Sequence, residues 1–197
     1  MRKRRSLWSS TREDCVARPR LVDDDAILDA TRLVLAEVGP AKLTLAAVGA
    51  RVGLAPPTLM QRFGSKRGLL LASAAREPQL VLRAAATAEE ANTSPLATLY
   101  DVLSTVGLAQ LDVSDPEFRE HALAHSAAIV NSCARFYRAA VAAGELRAET
   151  DVPALARHTL VCFIGALQVW AVNGWGEPSI FLTEQLDLML APYLLRA

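Results

Sequence analysis

LTLAAVGARVGLAPPTLMQRFGSKRGLL, residues 43–70, holds two short runs of helical apolar spacing separated by a glycine turn. Thr44 is of the type that caps a helix N-terminus, and Leu45, Val48 and Val52 then recur on one helical face. Gly53 suits the end of that run, because glycine enters the left-handed conformation that closes helices. Pro56 and Pro57 open the next run, where a missing amide donor costs little, and Leu59 and Phe63 follow four residues apart. Gly64 ends it, and Ser65 offers another cap. The spacing predicts two helices joined by Gly53-Leu54-Ala55, a helix-turn-helix spanning Thr44 to Phe63. Leu45, Val48, Val52, Leu54, Leu59 and Phe63 are expected to face a preceding helix, which leaves Pro57, Thr58, Gln61 and Arg62 on the open side.

Upstream, Asp23, Asp24 and Asp25 suit a helix N-terminus. Ile27, Ala30, Val34 and Val38 then recur at helical spacing until Gly39-Pro40. Downstream, Leu69-Leu70-Leu71 begins a long helical stretch that Pro78 is expected to kink or split. Further helices are expected from Ser94 or Pro95 to Leu111, from Asp115-Pro116 to about Ala143, from Asp151 to Asn173 and from Pro178 to Leu195. The Asp115–Ala143 stretch is long enough to be two helices broken near Ser126 to Ser132. No alternating strand pattern and no repeat interrupts the series, so the chain is expected to be all-α. It divides into a flexible basic arm (1–22), a three-helix head (23–72) and a larger helical domain (73–197).

The 197 residues carry 21 Lys+Arg against 21 Asp+Glu with 52% apolar residues, which excludes a disordered polyelectrolyte. Neutrality hides an asymmetry: residues 1–70 hold 13 cations and 7 acids, whereas residues 71–197 hold 8 and 14. A basic module joined to an acidic one suits a polyanionic partner for the first, although seven of the front cations lie in the arm. Three widely spaced cysteines (Cys15, Cys133, Cys162) argue against a disulfide framework or zinc ribbon and fit a reducing cytoplasm. No apolar leader follows Met1. His158 to Gly176 is free of charge for 19 residues, close to the ~20 that span a bilayer. Its His158, Thr159, Gln168 and Asn173 suit a buried helix better, so no membrane partner is expected.

The open side of the third helix has the chemistry of base recognition. Arg can bind guanine bidentately, Gln can bind adenine, and the Thr58 methyl or Pro57 ring can pack on a thymine methyl. Polar residues on the exposed face of any small bundle would look the same, and chemistry alone leaves the two readings level. Lys66 and Arg67 favour the first. They sit in the first turn after Ser65, where cations oppose the helix dipole by ~0.3–1 kcal/mol each, and a DNA phosphate at those backbone amides would reverse that sign.

At these residues the chain resembles the TetR (tetracycline repressor) family of bacterial transcription regulators, specifically over residues 23–72, with Phe63 and Ser65-Lys66 at the positions of the family's DNA-reading signature. The resemblance implies a homodimer on a palindromic double-stranded operator, with Thr44, Pro57, Thr58, Gln61, Arg62, Lys66 and Arg67 at the DNA. It further implies a C-terminal domain that binds an unknown small-molecule effector and dimerises through the helices near 151–173 and 178–195. Repression relieved by the effector is the family's usual mode, through a change in the spacing of two reading helices that must meet major grooves ~34–36 Å apart. The chain departs from the pattern in three places. Met60 stands where a phosphate-binding Tyr is usual, Ala55 replaces the usual Ser cap, and Arg67-Gly68 replace commoner acidic or Ala residues.

Helix 151–173 is apolar nearly all round, which predicts burial on nearly all sides. Tyr100, His121, His125, Phe136, Phe163, Gln168 and Trp170 combine bulk with a polar tip or aromatic face and are the candidates for effector contact; each also suits ordinary core. His121 and His125 have the i, i+4 spacing of a metal pair, with Cys133 two turns on, but no third ligand in register is evident, so no metal site or cofactor is expected. Glu120 beside His121, or Cys162 near His158, lacks the nucleophile elbow, phosphate loop or metal triad of an enzyme. The rival reading is a ligand-binding dimer whose head has lost operator affinity. The arm, Arg2 to Arg5 above all, is either a minor-groove element or an inert tail.

Overall fold

In a computed structural model the structure describes residues 22–105 and 114–195, and residues 1–21 of the arm, 106–113 and 196–197 lie outside it. Eight helices are found among the described residues: α1 (Asp24–Lys42), α2 (Leu45–Val52), α3 (Pro56–Phe63), α4 (Lys66–Ala91), α5 (Pro95–Thr105), α6 (Pro116–Ala142), α7 (Val152–Asn173) and α8 (Pro178–Leu190). The described residues form no strand; a single bridge joins Leu146 to Leu194.

The starts are set by caps. Asp23 accepts from the Ala26 amide at 2.8 Å, Thr44 from Ala47 at 3.1 Å, Ser65 from Gly68 at 2.9 Å and Asp151 from Ala154 at 3.0 Å. Ala55 offers no side-chain cap to α3, whose first residues are the two prolines. Gly39 breaks α1 with φ 73°, and the chain resumes one helical turn to Lys42. Of the expected α1 stripe, Ile27, Ala30 and Val34 are buried, whereas Val38 lies outward beside that break.

Two long helices depart from expectation. α4 runs through Pro78 as one helix, with every residue in helical conformation; packing of Ala74, Glu77, Val81 and Ala85 along one side holds the turn that proline deprives of one hydrogen bond. α6 likewise has no break near Ser126 to Ser132, because Ala128, Ile129, Ser132, Cys133 and Phe136 form a continuous buried stripe. The last helix stops at Leu190, short of the expected Leu195, where Pro192 cannot continue it. The stretch expected to extend α5 to Leu111 falls beyond Thr105, outside the described residues.

The apolar interior falls into two clusters that share α4. The smaller joins Ile27, Val34, Leu43, Val48, Leu59, Leu69 and Ala74 with Phe118 from the first turn of α6. The larger joins Val81, Ala85, Leu99, Leu103, Ile129, Phe136, Leu155, Phe163, Leu186 and Leu190. Within it, Tyr137 Oη and Thr159 Oγ1 lie 2.7 Å apart, and Thr159 donates to the Leu155 carbonyl at 2.8 Å. α6 packs on α4, α5 and α7, and α8 packs on α7.

Within its own chain α7 is buried along one side. Leu155, Ala156, Thr159, Phe163 and Ala166 face the interior, whereas Val161 and Val172 are 67% and 76% exposed and Ile164 and Val169 also lie outward. It is long and apolar enough to cross a membrane by length and composition, with a mean hydropathy of 1.4 over its most apolar window.

Candidate nucleic-acid interface

The turn between α2 and α3 is built on close approach. A Cβ on Gly49 would stand 2.3 Å from the Leu54 carbonyl oxygen and 3.5 Å from Leu59 Cδ1. The Leu54 amide in turn donates to the Gly49 carbonyl at 2.9 Å. Only a residue without a side chain lets the chain fold back this tightly. Val48 and Leu59 are fully buried, and Leu45, Val52, Leu54 and Phe63 are half-buried against the same cluster, so all six apolar positions face inward as their spacing predicts.

On the open side of α3, Pro57 and Gln61 are exposed and Met60 is 49% exposed. Thr58 is half-buried. Arg62 does not stand with them: its Nη1 donates to the Val22 carbonyl at 2.5 Å and to Asp24 Oδ1 at 3.2 Å. The guanidinium trades water for a carbonyl and a carboxylate, and it fixes residue 22 beside the third helix.

The two cations at the start of α4 are answered inside the chain. Lys66 Nζ donates to the Ala41 carbonyl at 3.0 Å, at the C-terminal end of α1, where carbonyls lack helical partners and the dipole favours positive charge. Arg67 turns away from α3 altogether. Its Nη2 lies 2.7 Å from Asp115 Oδ2 and 3.0 Å from Oδ1, its Nε lies 3.2 Å from Oδ2, and its Nη1 lies 2.6 Å from Glu117 Oε2. Its guanidinium carbon sits 5.5 Å from the centre of the Phe118 ring. These hydrogen bonds hold the Asp115 carboxyl below its ordinary range. Thr44, exposed, spends its hydroxyl on the α2 cap.

Sequence reasoning passed over Lys42. It is exposed at the end of α1, two residues before Thr44, and makes no side-chain hydrogen bond or ion pair with the described residues. Arg51 by contrast pairs with Glu37, and Arg76 bridges Asp25 and Asp29 at 3.2 and 2.7 Å, tying α4 to α1. Lys42 went unnoticed because its position relative to α2 depends on the Gly39 break.

The seven candidate effector residues fall in different places: Tyr100, Phe136 and Phe163 belong to the larger cluster, and Gln168 and Trp170 to a cleft beside α1. Phe136 and Phe163 are 2% and 1% exposed within the larger cluster. Tyr100 donates to Asp187 Oδ1 at 2.5 Å, joining α5 to α8, and burial raises its phenol above the ordinary value. His121 is half-buried on α6. His125 is half-buried on α6 with its ring toward the Glu77 backbone of α4; burial lowers its imidazole below the usual 6.5. Gln168 and Trp170 line a cleft of about 290 Å³ with Leu167 and Ala171 of α7 and Leu35, Ala36 and Gly39 of α1. Its walls belong to head and body at once. Cys133 is 1% exposed and burial pushes its thiol up to about 12, far from the thiolate a metal needs. No three His, Cys, Asp or Glu side chains among the described residues are grouped to hold a metal ion.

Residues 27–73 match the family model for bacterial regulatory proteins of the tetR family, and residues 104–179 match that for a tetracyclin repressor-like C-terminal domain. No curated protein matches the chain. Among solved structures it is similar to SmeT, the repressor of the Stenotrophomonas maltophilia multidrug efflux pump SmeDEF, at 23% identity, covering 90% of this chain and 93% of that one with a TM-score of 0.62. A TetR-family regulator from Cytophaga hutchinsonii is 16% identical over 88% and 96% of the two chains, with a TM-score of 0.69. FadR from Bacillus subtilis, solved in complex with stearoyl-CoA, is 16% identical over 86% and 98%, with a TM-score of 0.62.

Proposed function

The chain belongs to the TetR family of bacterial regulatory proteins, and we propose that it is a cytoplasmic repressor that leaves a palindromic operator when a small molecule binds. The observation that carries this reading is the presentation of α3. Val48, Leu59 and the glycine turn hold it rigidly, while Pro57 and Gln61 face solvent. In this reading Gln61 reads a base edge, Pro57 and Thr58 pack on neighbouring bases, and Lys42, Thr44 and Lys66 meet phosphates. Arg62 steadies the entry of the arm. Two copies pair through the outward apolar faces of α7 and α8, where Val161, Ile164, Val172, Ile180 and Leu188 are uncovered by their own chain. In this reading the chain divides into an arm (1–22), a head (23–72) and a body (73–197).

The effector in this reading is an apolar molecule with a hydrogen-bonding group, seated in the cleft where Gln168 and Trp170 of α7 meet α1. An occupant there touches head and body together, so it favours one head position over another, as any effector must. FadR bound to stearoyl-CoA and the SmeT–triclosan complex, proteins of the same fold, support an apolar ligand class. In this reading the chain uses no cofactor and catalyses no reaction.

The test is binding of the wild-type chain to duplex DNA from upstream of its own gene, against a scrambled duplex, over a range of salt. Gln61→Ala is expected to cost about 1–3 kcal/mol on the operator and little on the scrambled DNA. Lys42→Ala is expected to weaken both and to flatten the dependence on log salt by about 0.9 per subunit. Equal affinity of wild type and Gln61→Ala for both duplexes would reject the assignment. Failure of the wild type to bind any duplex would favour the second reading, a ligand-binding dimer with a silent head. That reading draws support from Arg62, Lys66 and Arg67 all being engaged within the chain.

A further inference from the structure

Arg67 was expected at a DNA phosphate, yet its guanidinium is spent on two carboxylates of α6. Asp115 takes two of its nitrogens and Glu117 a third. Asp115 is also the N-cap of α6, where its carboxylate accepts the Glu117 amide at 3.0 Å. One carboxylate therefore terminates α6 and grips the first turn of α4. One residue beyond Glu117, Phe118 lies 7% exposed inside the head's own apolar cluster. Upstream of Arg67 only Gly64, Ser65 and Lys66 separate it from the end of α3. A Cβ on Gly68 would stand 2.0 Å from the Phe63 carbonyl oxygen, so the first turn of α4 and the last turn of α3 are packed as one piece. Displacement at the start of α6 is thus delivered to the reading helix within a few residues.

We propose that the Arg67–Asp115–Glu117 clasp sets the position of the reading head, and that Arg67 is a positioning residue acting through α6 rather than a phosphate contact. The inference rests on the reading of the chain as a DNA-binding regulator, and it names three residues through which occupancy of the body reaches the operator. A cation in a first turn is unfavourable by itself. Here the compensating charge comes from the start of the neighbouring helix, so each start steadies the other.

Two explanations for Arg67 predict opposite signs, which makes the test decisive. Arg67→Gln and the double variant Asp115→Asn/Glu117→Gln are compared with wild type on the same upstream duplex across salt. Asparagine keeps the α6 cap, so loss of the helix does not confuse the result. The clasp predicts that both variants bind the operator about fivefold or more weakly, the low end of typical coupling between sites. It also predicts unchanged salt slopes and no further loss when the three changes are combined. A phosphate contact predicts instead a salt slope smaller by about 0.9 per subunit in Arg67→Gln and tighter binding by the double variant, which removes two negative charges; that pattern would overturn the proposal.

Amide exchange of residues 64–70 in the full chain is the second readout. The clasp predicts faster exchange there in both variants, with the middle of α6 unchanged, and unaltered exchange would overturn it even if the wild type bound no DNA. In that last case the regulator reading fails by itself, and the exchange result still decides the clasp.

Discussion

Replacing Gly49 with Ala adds one methyl group to the helix-turn-helix. The new Cβ would lie 2.3 Å from the Leu54 carbonyl oxygen, where a carbon and a carbonyl oxygen prefer about 3.3–3.6 Å. The turn must therefore open by roughly 1 Å. The obstructing atom is backbone, and it belongs to the residue whose amide already binds the Gly49 carbonyl. Leu59 Cδ1, at 3.5 Å from the same point, is fully buried and blocks the other escape. Overpacking of this kind costs about 1–3 kcal/mol. At about 2–4 °C per kcal/mol for a chain of this size, the midpoint of thermal unfolding should fall by roughly 2–12 °C.

Operator affinity should fall further than stability alone explains, because the opened turn re-aims α3. The control is Gly53→Asn, at the left-handed position ending α2 with open space around it. Asparagine tolerates that conformation, so this variant should keep nearly the wild-type midpoint and affinity. Differential scanning calorimetry and fluorescence anisotropy on one duplex read both effects. A Gly49→Ala protein that melts and binds like wild type would refute the turn geometry, and with it the presentation of α3.

Deleting residues 1–20, which hold seven cations and two acids, should weaken DNA binding and reduce its salt slope, because Arg62 fixes residue 22 beside the reading helix; an unchanged slope would remove the arm from the interface. Leu188→Glu, at a side chain 72% exposed on α8, should convert the dimer to monomer by sedimentation without lowering helix content, and a persisting dimer would place the pairing surface elsewhere. Acid should destabilise the body through His125. Burial holds its folded value below 6.5, so the unfolded chain takes up the proton first, and the contribution is full above 6.5 and lost as pH falls through the folded value. Glu77, raised by burial against Arg32 and Arg76, acts in the opposite sense, with stability lost as pH rises through its folded value. Comparing melts of wild type and His125→Asn between about pH 7.5 and 5.5 isolates the histidine; equal acid sensitivity in both would assign the effect elsewhere.

The head was legible because its signals are local. Thr44 and Ser65 cap the helices they were expected to cap, and the inward positions of α2 and α3 follow from 3.6-residue spacing. Pro78 misled because a propensity argument cannot see the buried stripe that carries α4 through it. α6 stayed whole for the same reason. The intrachain partners of Arg62, Lys66 and Arg67 lie 25 to 50 residues away in the chain, and no local pattern places Val22, Ala41 or Glu117 beside them. Residue type marks effector candidates in a sequence but says nothing of where they meet in space. Gln168 and Trp170 meet in a cleft whose opposite wall is supplied by α1, more than 120 residues earlier.

Phe118 bears on the engineering of chimeric sensors. It belongs to the body by chain position and to the head by packing, so a head grafted from a relative with a junction inside α4 would leave this aromatic ring facing a foreign socket. A transplant that carries residues 115–118 together with 22–72 keeps plug and socket matched, and a library of hybrid regulators cut at that composite seam should yield more responsive members than one cut at a single point in the chain.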